Sequence, residues 1–153
     1  MKHNAIALCG GIYAPECDIP RLESGEITEL IIPVGGIYAR IQRSMYAPGQ
    51  RWYICEPWSL RKNGYIYRCR GDKLTGVKDA ADKWMPAKDM PVAAARIIVR
   101  IDSCCRRNID TATVYDAMRS GYASKAAMRM ELTARYGPDA QFDMLQVTVS
   151  KSE

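Results

Sequence analysis

Glu56 is the residue whose type and position best suit acid–base chemistry. Period-two alternation over residues 51–56 sets Trp52, Ile54 and Glu56 on one face of a predicted strand. A carboxylate at the end of an apolar stripe is partly desolvated, which raises its pKa toward the range of a general acid or base. The alternative interpretation is a strand-end glutamate paired with one of the chain's many arginines. The sequence leaves both interpretations open.

Two further predicted strands each carry a pair of arginines on one face. Alternation groups Arg68 with Arg70 in one strand, and Arg96 with Arg100 in another. Guanidinium groups match phosphate oxygens in bidentate geometry, so these faces suit a cleft for nucleic acid. The alternative is a solvated sheet face with local ion pairs. We also expect Arg96 to lie within ion-pair reach of Glu56.

Aromatic and basic residues alternate in the middle of the chain. Trp58 and Trp84 offer stacking surfaces for unpaired bases, and such stacking is worth roughly 1–3 kcal/mol per base. Arg40 and Arg43, with Arg51 and then Arg61-Lys62, form a basic interval around Tyr46 and Trp58. Each aromatic residue alone is more often part of a core, but the mixture favours nucleic acid over isolated charge.

The composition describes one globular domain spanning residues 1–153. Hydrophobic residues make up 48% and charged residues 25%, and 22 basic against 17 acidic side chains give a net charge of +5. The longest apolar runs fall far short of the roughly 20 residues that span a bilayer. The start of the chain lacks the apolar region of a signal peptide. We therefore expect a cytoplasmic protein without membrane contact, and the sequence leaves its oligomeric state open.

Metal and cofactor chemistry is not indicated. The six cysteines include no C-x-x-C pair, and His3 is the only histidine. We therefore expect no metal site and no cofactor. A single histidine also disfavours Ser-His-Asp and Cys-His mechanisms.

The elements that must position these residues are mostly strands. The predicted strands cover 27–34, 51–56, 65–70, 94–102 and 142–150, and the predicted helices cover 18–25, 110–121 and 124–136. The pairs Gly10-Gly11 and Gly35-Gly36 are interpreted as turns. This order predicts an α+β fold with a mixed or antiparallel sheet, a late helical pair and a C-terminal strand.

Spaced Pro, Gly, Trp and Arg residues resemble the ASCH family of PUA-like domains, in the form found in phage and prophage genomes. Pro48-Gly-Gln-Arg-Trp-Tyr-Ile-Cys-Glu-Pro-Trp58 is similar to the family segment P-G-D-x-L-W-V-R-E-x-W. The segment 83–97 resembles W-x-P-S-x-x-M-P-x-x-A-S-R-I, and 108–121 resembles a family helix that ends in A-x-x-E-G. The resemblance covers most of 22–149. It implies a small mixed β-barrel with a cleft for RNA or a modified nucleoside.

One family motif is altered in this chain. The family carries G-x-K-T-x-T-x-R near its N-terminus, and the aligned stretch here is Gly25-Glu-Ile-Thr-Glu-Leu-Ile-Ile32. In amidohydrolases of the family a lysine, a threonine and a glutamate do the chemistry. The resemblance therefore implies Thr28 and Glu56 as catalytic residues only if the protein is an enzyme. Ile27 takes the lysine position and cannot exchange a proton, so we expect no catalysis.

The leading functional hypothesis is a non-catalytic PUA-like domain of phage or mobile-element origin that binds RNA or another single-stranded nucleic acid. Two alternatives remain: a small amidohydrolase acting on a modified or acylated nucleoside, and a phage interaction or morphogenesis factor. The predicted nucleic-acid-binding residues are Arg40, Arg43, Trp58, Arg68, Arg70, Trp84, Arg96 and Arg100.

Overall fold

The computed structural model describes residues 7–36, 39, 41–74 and 83–151, so His3 and Arg40 lie outside the described residues. The strands are β1 (Leu8–Tyr13), β2 (Glu29–Val34), β3 (Arg51–Cys55), β4 (Trp58–Arg61), β5 (Gly64–Tyr67), β6 (Ile97–Asn108) and β7 (Gln141–Lys151). The α-helices are α1 (Ile19–Glu23), α2 (Val114–Arg119) and α3 (Lys125–Tyr136). None of these helices is long and apolar enough to cross a membrane.

The strands form a mixed arrangement. Their hydrogen-bonding order is β1-β3-β6-β7-β2, while β4 and β5 form a separate antiparallel pair. β1 runs parallel to β3, and β2 runs antiparallel to β7. Within the described residues the order is open, because β1 and β2 each have one neighbour. The predicted α+β class is confirmed, and the PUA-like barrel stays a prediction.

The chain divides into two compact units. The first consists of Met1–Ser24, Arg51–Val99 and Val149–Glu153, and the second of Gly25–Gln50 and Arg100–Thr148. The single domain predicted over 1–153 therefore stays a prediction. Glu56 and Arg96 belong to the first unit, whereas Thr28 and Arg100 belong to the second.

In the first unit, Gly10 and Gly11 lie inside β1, so their interpretation as a turn was wrong. Gly11 is the register partner of Tyr53 in β3. A Cβ atom at Gly11 would overlap the sulfur of Cys55 and press against the Tyr53 ring. Glycine is thus required here by the close approach of β1 to side chains of β3, not by a turn.

The predicted strand 65–70 is shorter in the structure. β5 ends at Tyr67, and Arg68–Arg70 form a 3-10 turn that ends at Gly71 with a φ of 89°. The Asp72 carboxylate accepts a 2.9 Å hydrogen bond from the Tyr67 N–H, and this local bond competes with a continued strand. The placement of Arg68 and Arg70 on one strand face was therefore wrong.

The predicted strand 94–102 is shifted toward the C-terminus. A 3-10 turn at Val92–Ala94 follows Pro91, and β6 begins only at Ile97 and continues to Asn108. Arg96 therefore precedes β6 and does not share a strand face with Arg100. The proline explains the shift, because it sets an extended entry to the turn.

The predicted late helical pair is confirmed in the second unit. The Ser124 hydroxyl caps α3 by accepting a 3.0 Å hydrogen bond from the Ala127 N–H. Met128 and Leu132 are buried on α3, in a cluster that includes Phe142 of β7.

α2 begins later than predicted. Thr113 and Asp116 form a capping box at its start, so Thr113 is the N-cap and the helix begins at Val114, not at residue 110. Asn108 and Thr111 hydrogen-bond to each other's backbone N–H groups, which closes a turn ahead of the helix.

Candidate ligand-binding site around Glu56

Glu56 and Arg96 form a buried ion pair, which confirms the expected proximity. Nη2 of Arg96 donates to Oε1 of Glu56 at 2.8 Å, and the Glu56 side chain is 0% exposed. Nη1 of Arg96 donates to Oε2 of Glu23 at 2.5 Å. One guanidinium, itself only 13% exposed, therefore serves two carboxylates. Such a pair is held in one geometry, because breaking it leaves a buried charge uncompensated.

Tyr67 at the end of β5 positions the arginine. Its hydroxyl donates a 2.6 Å hydrogen bond to the carbonyl of Ala94, two residues before Arg96. Its ring centroid lies 5.1 Å from the Arg96 guanidinium carbon and 5.0 Å from that of Arg70. Tyr67 thus fixes both the backbone that leads to Arg96 and the position of its charge.

The backbone at Glu56 is fixed by the same apolar cluster. Its N–H donates a weak hydrogen bond to the Met90 sulfur at 3.4 Å. Met90 is buried with Tyr67 and Ala94, and Trp58 packs against this cluster. The backbone that carries the Glu56 carboxylate is therefore held against an apolar cluster.

Oε2 of Glu56 and Nε1 of Trp58 are both buried, and neither atom has a hydrogen-bond partner among the described residues. Buried polar atoms are almost always paired, with protein or with ordered water. One acceptor and one donor, two residues apart in the chain, therefore have hydrogen-bonding capacity that the described residues do not fill.

Burial dominates the electrostatics of Glu56. It raises the pKa of the carboxyl above its ordinary value, and the hydrogen bond and charge of Arg96 only partly oppose this. The charge of Glu23 raises the pKa further. Both interpretations of the sequence thus apply, since the carboxylate is desolvated and is also paired with an arginine.

Arg68, Arg70 and Arg100 lie in exposed ion pairs, as the alternative interpretation expected, although Arg68 and Arg70 lie in a turn and not on a sheet face. Arg68 holds Glu16 with two nitrogens at 2.6 and 2.7 Å. Arg70 pairs with Asp72 at 2.5 Å. In the second unit Arg100 pairs with Asp102 at 2.9 Å. These arginines are about half exposed, and their binding of nucleic acid stays a prediction.

The predicted aromatic residues lie at half-buried positions. Trp58 in β4 contacts Tyr65 edge to face, with 5.9 Å between ring centroids. Trp84 directly precedes Met85, whose backbone exchanges two hydrogen bonds with that of Trp58.

The remaining predicted residues lie in the second unit or outside the described residues. Arg43 is exposed in the second unit, and Arg40 lies outside the described residues. Thr28 is also in the second unit, where its N–H donates to the Arg119 carbonyl at 2.9 Å. Ile27 is buried beside it. Among the residues that the structure describes, no cluster of three His, Cys, Asp or Glu side chains could hold a metal ion.

Two contributors to the site were not predicted. Glu23 lies 73 positions from Arg96, so no local spacing could connect them. The sequence did contain a signal for Tyr67, because the alternation over 65–70 groups it with Tyr65 and Cys69 on the face opposite the predicted arginines.

Comparisons with known proteins identify a distant structural neighbour at low sequence identity. No protein-family model matches the chain, and no curated protein matches it. The chain is similar to the crystal structure of protein EF3133 from Enterococcus faecalis V583, described with the family DUF984. The sequence identity is 12%, the match covers 86% of this chain and 69% of that chain, and the TM-score is 0.46. Similarity at this level carries no argument about fold or function.

Proposed function

We propose that the protein is an ASCH-type, PUA-like domain that binds single-stranded RNA, or a modified nucleoside, by holding one nucleobase at Glu56. The observation that carries this proposal is the buried Oε2 atom of Glu56, which has no hydrogen-bond partner among the described residues. Nucleobase edges present N–H groups that can donate hydrogen bonds to a carboxylate oxygen. The order of the sequence segments that resemble the ASCH family supports the class.

The hydrogen-bonding capacity of the site suits a base edge. Oε2 of Glu56 accepts from a ring or exocyclic N–H, and Nε1 of Trp58 donates to a carbonyl. Each buried polar group left unpaired costs about 1–3 kcal/mol, so a ligand that pairs both gains a corresponding preference. The faces of Trp58 and Tyr65 add apolar area of the kind on which unpaired bases stack.

The exposed ion pairs do not prevent phosphate binding. An exposed ion pair such as Arg68–Glu16 contributes only about 0–1 kcal/mol to stability. A phosphate can therefore replace Glu16 as the partner of Arg68 at little cost in free energy. The buried Arg96 pair is different, because replacing Glu56 by a phosphate would leave a buried carboxylate uncompensated. We therefore assign the phosphate contacts to Arg68 and Arg70, and the base contact to Oε2 of Glu56.

Binding of short single-stranded RNA tests the proposal. We expect wild-type protein to bind at low salt, and Glu56→Gln to weaken binding about tenfold. The glutamine oxygen still accepts from Arg96, but its amide group puts a donor where Oε2 accepted. Glu131→Gln, on the exposed face of α3, is the matched control and should bind like wild type. Absence of wild-type binding to RNA and to nucleosides, or equal affinity of Glu56→Gln, contradicts the proposal.

An amidohydrolase is the second candidate, and the raised pKa of Glu56 favours it. A carboxyl that keeps its proton closer to neutral pH is better matched to proton transfer. The buried Ile27 at the family's lysine position argues against it. Incubation with N4-acylated cytidine distinguishes the two: release of the free acid by wild type, lost in Glu56→Gln, establishes the enzyme.

A further inference from the structure

The second unit contains a buried pair of acidic residues that the proposed function does not use. Glu29 begins β2 and Asp116 lies in the first turn of α2, and each residue is only 2% exposed. Both carboxyl groups face the Arg119 guanidinium, whose Nε lies 3.8 Å from Oε1 of Glu29 and whose Nη2 lies 3.8 Å from Oδ1 of Asp116. Two buried carboxylates at one guanidinium repel each other when both are ionised, so one of them keeps a proton that it can donate to the other.

Asp116 is the ionised member of the pair. Its Oδ2 accepts hydrogen bonds from the Thr113 N–H at 2.7 Å and the Thr113 hydroxyl at 3.1 Å. Nε of Arg107, on β6, lies 3.1 Å from the same oxygen. Burial opposes ionisation of Asp116, but these contacts together bring its pKa below the ordinary value.

Glu29 is the protonated member. Burial and the neighbouring Asp116 raise its pKa to about 8. Arg119 of α2 opposes the shift from 3.8 Å, and the Ser120 hydroxyl donates to Glu29 at 3.4 Å. On the β7 side the register partner of Glu29 is Gln146, which carries no charge.

The pair lies where β2 is attached to α2. The N–H of Thr28, next to Glu29, donates a 2.9 Å hydrogen bond to the carbonyl of Arg119 at the end of the helix. Opening this junction would bring Glu29 into water, where an ordinary glutamate loses its proton at neutral pH. Opening is thus coupled to release of a proton.

We propose that Glu29 and Asp116 form a proton-operated latch, in which one shared proton keeps the start of β2 fastened to α2 and its loss releases this junction. The direction follows from linkage. Glu29 binds more protons in the closed state than in the open state between pH about 4.5 and 8. Closing is therefore favoured at acidic pH, weakens as the pH rises through this window, and changes little above it.

Amide hydrogen exchange of the full-length protein tests the latch. We expect the protection factor of the Thr28 amide to fall between pH 5.5 and 7.5, by up to about tenfold per pH unit. The Gly137 amide, which donates to the Thr133 carbonyl at the end of α3, is the internal reference and should keep its protection. Protection factors already remove the intrinsic pH dependence of exchange.

The variant Glu29→Gln isolates the proton. Its amide N–H still donates to Asp116 but does not titrate, so the Thr28 protection should become independent of pH. Glu131→Gln, an exposed change on α3, should behave like wild type. The wild-type profile decides the question even if Glu29→Gln fails to fold. A flat wild-type profile, an unchanged slope in folded Glu29→Gln, or an equal slope at Gly137 overturns the latch.

Discussion

Nη2 of Arg96 lies 2.8 Å from Oε1 of Glu56, and this contact holds a fully buried carboxylate whose other oxygen has no hydrogen-bond partner among the described residues. Removal of the guanidinium should therefore be costly. We expect Arg96→Ala to lower the free energy of unfolding by about 3–5 kcal/mol, because Glu56 would be left buried and unpaired. Urea denaturation measures the change. Arg68→Ala, which breaks an exposed pair, should cost less than about 1 kcal/mol.

A double variant separates charge from packing at this site. Adding Glu56→Gln to Arg96→Ala removes the unpaired charge, so part of the lost stability should return. A double variant no more stable than Arg96→Ala would show that Arg96 acts through packing alone.

The Tyr67 hydroxyl should also contribute to stability. Tyr67→Phe keeps the ring beside Arg96 but leaves the buried Ala94 carbonyl without its 2.6 Å donor, at a cost of about 1–3 kcal/mol. Tyr13→Phe removes a longer bond, 3.4 Å to the Lys88 carbonyl, from an exposed hydroxyl. It should change the melting temperature little. Equal shifts in the two variants would contradict a special role for Tyr67.

The sequence predicted those features of the fold and the site that depend on neighbouring residues in the chain. The alternation of Trp52, Ile54 and Glu56 correctly indicated a buried carboxylate, since all three are buried. The same rule failed beyond Tyr67, where the Asp72 side chain closes a turn that hydrophobic periodicity does not register. Glu23 reaches Arg96 from a distant segment, and only the tertiary structure reveals that contact.

RNA affinity should depend on pH through Glu56. Burial raises the pKa of this carboxyl, so protonation begins closer to neutral pH than for an ordinary glutamate. Protonation removes the acceptor at Oε2, and affinity should therefore fall as the pH is lowered through the raised pKa. Glu56→Gln should show no such fall. Titrations between pH 4.5 and 8 on both proteins measure it, and parallel curves would exclude Glu56 as the source.

The salt dependence of RNA binding should report Arg68. If its guanidinium exchanges Glu16 for a phosphate, Arg68→Ala should flatten the slope of log K against log salt by roughly 0.7. Arg129→Ala, which breaks an exposed pair with Asp110 in the second unit, is the matched control and should keep the wild-type slope. An unchanged slope in Arg68→Ala would remove this residue from the binding surface.

Gly11 should tolerate no side chain. Gly11→Ala places a Cβ against the Cys55 sulfur and the Tyr53 ring, and we expect a loss of about 1–3 kcal/mol. Gly35→Ala, where a Cβ meets no atom within 4 Å, should stay within about 0.5 kcal/mol of wild type. Thermal denaturation compares the two, and similar melting temperatures would show that β1 moves aside easily.

The same contact constrains how this protein can diverge. β1 and β3 run parallel, and a side chain at position 11 would occupy the space that the Cys55 thiol fills. A larger residue at position 11 is compatible with the fold only when residue 55 becomes smaller or the strands separate, and a larger residue at position 55 has no side chain at Gly11 to displace. Among descendants of this sequence the two positions should therefore change together, as a covarying pair 44 positions apart in the chain.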